Sequence, residues 1–493
     1  MNQRRESRAS GPGDARHVVV IGGGVTGLAS AYYLRKELGA DAAPTRITLL
    51  EQSERLGGKL VTEEVDTFLI DGGPDCFLTR KHEALDLCRE MGLAEELLAT
   101  NEAHRGVGVL NRGRLHALPE GVMLIVPTRF MPFALSPLIS IPGKLRMALD
   151  LLIPPRQEDT DETLGSFVRR RLGPEALDKI AEPLLSGIHV SDADSLSLKS
   201  TFPRLMEVER KYGSLTRGMI AARQQMDKAK KAGRSSLPMF MSLRGGMQQI
   251  TNTLAAQMAP QNIDVRLGSS VEAITRTNGG GPPFQLRLAD GAELAADAIV
   301  VTTPSNVTSE LLRPLDTELS AMLDQIRYVS TAVVSLGYRA GPDMPDFKGF
   351  GFIIPKSEGR RITACTFSSV KFEARAPDGH RLLRAFLGGP GREEILNLDD
   401  DALVQVVREE LAGILGLTAE PVLSKVYRWP KLNPQYDLNH LDHVDDMRQR
   451  AAALGPIYLA GCAYDGVGVP DCIRQGKEAA EALVSRFQNA SSS

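Results

Sequence analysis

Three glycines near the amino end have the spacing of a diphosphate-binding turn. Gly22-x-Gly24-x-x-Gly27 follows the apolar run His17-Val-Val-Val-Ile21 and opens a segment with helical periodicity. In a strand–turn–helix unit, the first glycine permits the tight turn. The second lets phosphate approach the backbone, and the third lets helix pack on strand. Val25 and Thr26 then stand at the helix start, where free N–H groups and a partial positive charge suit an anion. Glu51 ends the next apolar run, Arg46–Leu50, where a carboxylate can accept from ribose hydroxyls and disfavours a 2′-phosphate. Gly57 and Gly58, between Arg55 and Lys59, bring backbone and cations to the same diphosphate from its other side. These residues predict a dinucleotide site.

Holding them takes a strand, helix and second strand, the first half of a dinucleotide fold. The pattern returns at the far end, where Pro456–Ala460 is apolar, a glycine turn follows, and a helix is predicted over Arg474–Phe487, beginning near Asp471. Residues 84–100 and 162–185 read as amphipathic helices, and 204–235 as a charged, solvated helical stretch. After Gly245 short strands alternate with turns, among them VRLGSSVEAI, TAVVSLGYR, GFGFIIP, RITACTF and RLLRAFLGG, with a hairpin turn at Thr277–Pro283. A nucleotide domain assembled from separated segments, with other domains inserted, is the economical arrangement.

The 493 residues suggest two or three domains at roughly 150 residues each. With 42% hydrophobic and 24% charged residues, the composition excludes a disordered chain, a collagen-like repeat and a small disulfide scaffold. A formal charge of -3 argues against nucleic acid as the main partner. Cys76, Cys88, Cys365, Cys462 and Cys472 contain no CxxC pair and no metal spacing, so reduced thiols and no metal are expected. No Ser-His-Asp set, HExxH motif or P-loop supports hydrolysis or phosphoryl transfer. The apolar stretch from Leu115 to Pro155 is too interrupted to span a membrane, being broken by Arg129, Lys144 and prolines 127, 132, 137, 142, 154 and 155. It can dip into one leaflet, line an apolar tunnel or pack as core. Residues 1–16 read as a disordered leader.

The run Glu51–Lys59 resembles the FAD-dependent amine oxidase and porphyrinogen oxidase superfamily. The segment Ala460–Lys477, with Gly466-Val-Gly468 and Asp471-Cys-Ile473, is similar to its oxygen-dependent porphyrinogen oxidases. Asp71-Gly-Gly-Pro-Asp-Cys-Phe77-Leu-Thr-Arg80-Lys81 and Glu182-Pro-Leu-Leu-Ser-Gly187 resemble the Gram-positive branch. Gly349–Pro355, Thr366–Ser369, Arg375–Pro377 and Ala385–Gly389 fall in the family's order. The resemblance runs from about residue 17 to 485. His189-Val190-Ser191 departs from it, standing where an aromatic or an Ala-Gly pair is common.

This resemblance implies an α/β fold: a glutathione-reductase-type FAD domain (17–90, 237–305 and 440–493), a sheet-based substrate domain (306–439) and an inserted helical, membrane-associated domain (91–236). It implies oxidation of coproporphyrinogen III with FAD and O2, six electrons in three cycles, each passing a hydride to flavin N5 and yielding H2O2. Protoporphyrinogen IX is the alternative substrate. An amine oxidase, a desaturase and a non-catalytic binding protein like the Rab GDP-dissociation inhibitors stand further off. Phe386 is implied to stack on a pyrrole, Ile353 and Thr366 to flank the macrocycle, and the Gly187 carbonyl to lie near its N–H groups. Arg80 and Lys81 are the first choices for the propionates, ahead of Arg112 and Arg114. Gly73, Val271, Trp429, Gly461, Val467 and Gly468 would complete the flavin contacts, with the C-terminal helix start near the N1–C2=O edge. No side-chain acid or base is required. The implied setting is cytoplasmic, with peripheral membrane contact, a homodimer and transient contact with the next haem-pathway enzyme.

Overall fold

The computed structural model describes residues 16–39, 45–119, 121–123, 125–231, 237–277, 281–341 and 344–491. The leader expected over 1–16 lies outside these except for Arg16, as do residues 278–280 of the expected hairpin turn, across which Thr277 N–H donates to the Pro283 carbonyl at 3.1 Å.

Five parallel strands form the first sheet, in the order Ile263–Arg266, Thr45–Leu50, Arg16–Ile21, Ala298–Val301, Ile457–Leu459. A parallel sheet is covered on both faces, which explains why its strands read as unbroken apolar runs. Val18, Val19 and Val20 are fully buried, each contributing about 1.5–3 kcal/mol. Helices Val25–Leu38 and Val469–Ser491 pack together over one face. They approach closely because residue 476 is glycine: a β-carbon there would lie 2.6 Å from the Thr26 carbonyl oxygen.

The second sheet has seven strands in the order Leu423–Pro434, Tyr328–Arg339, His380–Gly388, Ala364–Phe367, Gly351–Ile353, Gly108–Asn111, Arg114–Ala117. Its back is an apolar layer under helix Asp400–Leu415. The hairpin 108–117 corrects the expected inserted domain of 91–236, because it extends the substrate sheet through parallel pairing of Val109 with Ile353. That pairing joins positions far apart in sequence, so local periodicity carries no trace of it.

Short helices between Leu164 and Lys231 form a separate cluster. The Arg171 guanidinium, fully buried, donates to Asp150 Oδ1 at 2.7 Å, and Ser214 and Thr216 satisfy the other carboxylate oxygen. Two expected helices are shorter than predicted. The first runs Glu83–Glu90 and ends before Gly92, after which Leu97–Ala99 pairs as a strand with Met241–Leu243. The second stops at Arg171 before Gly173-Pro174, and Leu177–Ser186 is wound as a π-helix. VRLGSSVEAI is two strands in two sheets.

Candidate functional site

At the first turn, Gly22 takes φ 105°, a conformation open to glycine. A β-carbon on Gly27 would lie 1.9 Å from the Gly22 carbonyl oxygen, whereas one on Gly24 meets nothing within 4 Å. The helix start at Val25 has no capping side chain and no acid in its first turn. Open space above Gly24 and uncapped N–H groups fit the diphosphate of a dinucleotide. The double-glycine turn lies alongside, Gly57 N–H donating to the Gly23 carbonyl at 2.8 Å.

The expected partners of that diphosphate are already engaged in part. Glu51 Oε2 accepts from Gly23 N–H at 2.6 Å and Oε1 from Ser53 N–H at 2.9 Å. The carboxylate braces the turn and keeps lone pairs for ribose hydroxyls. Arg55 donates to the Gly58 carbonyl at 2.5 Å. Lys59 donates to the Leu432 carbonyl and lies 3.6 Å from Cys462 Sγ. Both cations therefore bind carbonyls here rather than standing free over Gly24. Val271 opens its strand just past Ser269, whose N–H donates to the Glu51 carbonyl at 2.8 Å.

The C-terminal glycine turn meets the same region. Gly461 takes φ 133°, and its N–H donates to Gln475 at 3.2 Å. Buried Tyr436 clamps the turn, donating to the Cys462 carbonyl and accepting from Gly466 N–H, both at 2.8 Å. His440 stacks on Tyr436 with ring centroids 4.0 Å apart, and burial holds its pKa down at about 4. Val467 leans on the helical cluster. The helix begins at Val469, ahead of Asp471. Asp471 accepts from Gly468 N–H at 3.2 Å and pairs with Lys81 at 2.6 Å. The positive end of this helix is thus partly answered by the chain's own carboxylate, which is itself paired with Lys81. Burial pushes the Asp471 carboxyl up against the pull of Lys81.

The front of the seven-stranded sheet gathers the implied substrate residues. Cross-strand pairs align Tyr427, Val333, Phe386, Ala364, Ile353 and Val109 in one row. Thr366 faces Arg384 in the neighbouring row, and Trp429 lies on the same side. Phe386, Thr366 and Ile353 are half-buried. At one end of this face the loop 72–75 is fastened by Trp429 Nε1, donating to the Gly72 carbonyl at 3.1 Å, and by Arg384, donating to the Gly73 carbonyl at 2.6 Å. Gly73 is tight, since a β-carbon there would lie 1.9 Å from the Lys59 carbonyl oxygen. At the other end Ile353 and Val109 meet the helical cluster.

Sequence reasoning missed the charges beneath this face. Arg384 is 2% exposed, lies 5.4 Å from the Phe386 ring centroid and is 3.4 Å from Asp75, which also binds Lys371 at 2.8 Å. Burial opposes ionisation of Asp75, but Lys371 and Arg384 overcome it and hold the carboxyl well below the usual carboxylate range. The available signal was an arginine inside the apolar strand RLLRAFLGG, at a position facing the same way as Phe386.

The cation choices divide. Lys81 is taken by Asp471, whereas Arg80 is exposed and has no ion-pair partner among the described residues. Arg112 and Arg114 sit at the tip of the added hairpin, with Arg112 N–H bound to Glu358 at 2.6 Å. Gly187 is exposed at the end of the π-helix, on the helical side.

The profile of the family described as flavin containing amine oxidoreductase matches residues 25–484. The coproporphyrinogen III oxidase of Bacillus subtilis (strain 168) is 38% identical over 480 residues, covering 96% of this chain and 99% of that protein. The coproporphyrinogen III oxidase of Staphylococcus aureus is 32% identical, covering 96% and 100%, and the protoporphyrinogen oxidase of Bos taurus is 33% identical, covering 96% and 99%. A crystal structure from Exiguobacterium sp. 255-15, assigned as a protoporphyrinogen oxidase, aligns with TM-score 0.84 and 34% identity over 95% of this chain and 99% of that one.

Proposed function

The chain belongs to the flavin containing amine oxidoreductase family, and from that premise we propose that it is an oxygen-dependent oxidase converting coproporphyrinogen III to coproporphyrin III. The observation that carries the reading is the 38% identity to a coproporphyrinogen III oxidase, sustained over 96% of the chain. The half-buried row Ala364–Phe386, set between the glycine turns and the helical cluster, supplies a wall for a flat macrocycle. Protoporphyrinogen IX is the second reading, favoured by the 33% identity to the bovine protein.

FAD is the cofactor, and when bound it supplies the two-electron acceptor for a hydride. The chain binds and orients. Gly22, Gly24 and Gly27 with the N–H groups of Val25 and Thr26 hold the diphosphate, and Glu51 holds the ribose. Gly57, Gly58, Gly73, Trp429, Gly461, Val467 and Gly468 shape the rest of the cofactor cradle. Arg55, Lys59 and Val271 border it. Phe386 stacks on a pyrrole, Ile353 and Thr366 flank it, and the Gly187 carbonyl faces the ring N–H groups. Arg80 receives a propionate, and Lys81 does so only by leaving Asp471.

Among the described residues no helix is long and apolar enough to cross a membrane. Residues 130–152 nonetheless expose Leu135 at 78%, Ile141 at 74% and Leu152 at 78%. An apolar stripe of this kind, with Lys144 within it, supports peripheral contact with a bilayer surface. A homodimer and transient contact with the next enzyme of the haem route complete the proposal on the resemblance alone.

The test is growth of porphyrin fluorescence in air, run in parallel on coproporphyrinogen III and protoporphyrinogen IX. Faster turnover of the first supports the proposal, and faster turnover of the second selects the alternative. Rates no higher than the enzyme-free blank reject both.

A further inference from the structure

The π-helix Leu177–Ser186 delivers a short turn, Gly187–His189. Such windings are rare and concentrate at functional sites. The next residue, Val190, takes φ 50°, a left-handed conformation that a β-branched residue adopts only when its surroundings impose it. Those surroundings are visible. Gln435 donates to the Val190 carbonyl at 3.3 Å, and Ser191 Oγ donates to the His189 carbonyl at 3.1 Å.

The side chain so placed is an imidazole packed against Phe202 and Tyr436, with centroids 5.6 and 5.7 Å away. His189 is 8% exposed, and its Nδ1 is buried without a hydrogen-bond partner among the described residues. A buried polar atom left unpaired is costly, and a strained backbone that puts one there calls for a role. Tyr436 is the residue that clamps the C-terminal glycine turn, so the imidazole lies close to that turn, against the Phe202 and Tyr436 rings of the helical cluster. Phe202 brings no charge. The titratable groups facing the ring are Lys81 with its partner Asp471, and Tyr436 with His440 stacked behind it. Among the described residues no carboxylate pairs with His189. Burial, helped by Lys81 and His440, lowers its pKa to about 4, so it is neutral at neutral pH.

We propose that His189 is the proton acceptor of the substrate site, taking a pyrrole N–H proton as the macrocycle loses hydride. The proposal rests on the porphyrinogen reading above. In each two-electron step a meso C–H bond breaks and its electron pair leaves with the hydride to the flavin. A pyrrole N–H bond breaks, its electron pair completes the new conjugated double bond, and an N–H bond forms on the imidazole. The imidazolium then releases its proton to water before the next step, and after the third step the remaining meso CH2 gives up a proton while a ring nitrogen regains one, which completes the porphyrin. A weak base suffices, because loss of hydride leaves a cationic ring whose N–H is strongly acidic. Being neutral, the ring adds no fixed charge of its own to those of Arg384, Asp75 and Lys371.

The test compares His189→Phe, which keeps the packing and removes both nitrogens, with His189→Gln, which hydrogen-bonds but cannot take up a proton. Both are expected to retain flavin absorbance per chain, coproporphyrin binding by fluorescence quenching, and a Tm no lower than that of the wild type. Anaerobic flavin reduction by coproporphyrinogen III should slow about a hundredfold in each. Reduction within about twofold of wild type in either stably folded variant overturns the role of His189. A wild-type protein whose flavin coproporphyrinogen III does not reduce overturns the underlying function instead.

Discussion

The indole N–H of Trp429 donates to the carbonyl oxygen of Gly72 across 3.1 Å, tying the last strand of the substrate sheet to the loop that follows the first glycine turns. Trp429→Phe keeps most of the ring and leaves that carbonyl unpaired, at a cost of about 1 kcal/mol. The expected result is faster flavin loss on dialysis with a small drop in Tm. Unchanged flavin retention would show that the 72–75 loop is fixed without this bond.

Glycines of the first turn should separate by role. Gly24 has open space above it, so Gly24→Ala is expected to leave apoprotein Tm within about 2 °C of wild type while weakening flavin binding. Gly24→Asp, which sets an anion at the diphosphate, should give a folded, colourless protein. Gly27→Ala, 1.9 Å from a backbone oxygen, should not fold stably. Full flavin occupancy in Gly24→Asp removes the diphosphate assignment.

Phe386→Ala should raise KM for coproporphyrinogen III about tenfold with flavin content unchanged, because the half-buried ring lies on the substrate face of the sheet. Wild-type KM in this variant would remove the stacking role.

Stability should fall in mildly acidic solution. His189 and His440 are both held near pKa 4 by burial, below the 6.5 of an ordinary histidine. Their folded-state values are depressed, so the stability linked to neutrality is complete above about pH 6.5 and lost as pH falls toward 4, by up to about 3 kcal/mol per group. Melting curves from pH 7.5 to 4.5 should show Tm dropping through that window. A flat profile would contradict their burial as neutral rings.

Replacing Leu135, Ile141 and Leu152 by Ser removes exposed apolar surface without opening the core. Flotation with anionic vesicles should fall severalfold while turnover of soluble substrate persists. Equal flotation of mutant and wild type would set the bilayer contact aside.

What the sequence made legible was local. Gly22, Gly24 and Gly27 sit between a strand and a helix only a few residues away, and their spacing expresses the turn itself. Ile353, Thr366 and Phe386 came from motif resemblance, and cross-strand register brings them to one face. The rest depended on partners remote in sequence. Lys81 looked like a free cation because Asp471, which binds it, stands 390 positions later. Arg384 passed as a strand residue because Asp75 and Gly73 lie in another segment. The hairpin 108–117 carried no mark of the sheet it joins.

The parallel sheet that carries the first glycine turn is finished by Ile457–Leu459, and its covering layer by Val469–Ser491. A ribosome therefore releases the amino-terminal half of this domain long before its edge strand and closing helix exist. The seven-stranded sheet, whose residues are all made by Pro434, can assemble first. Nascent Val18–Ile21 must wait with apolar surface uncovered, a period in which chaperones have something to hold.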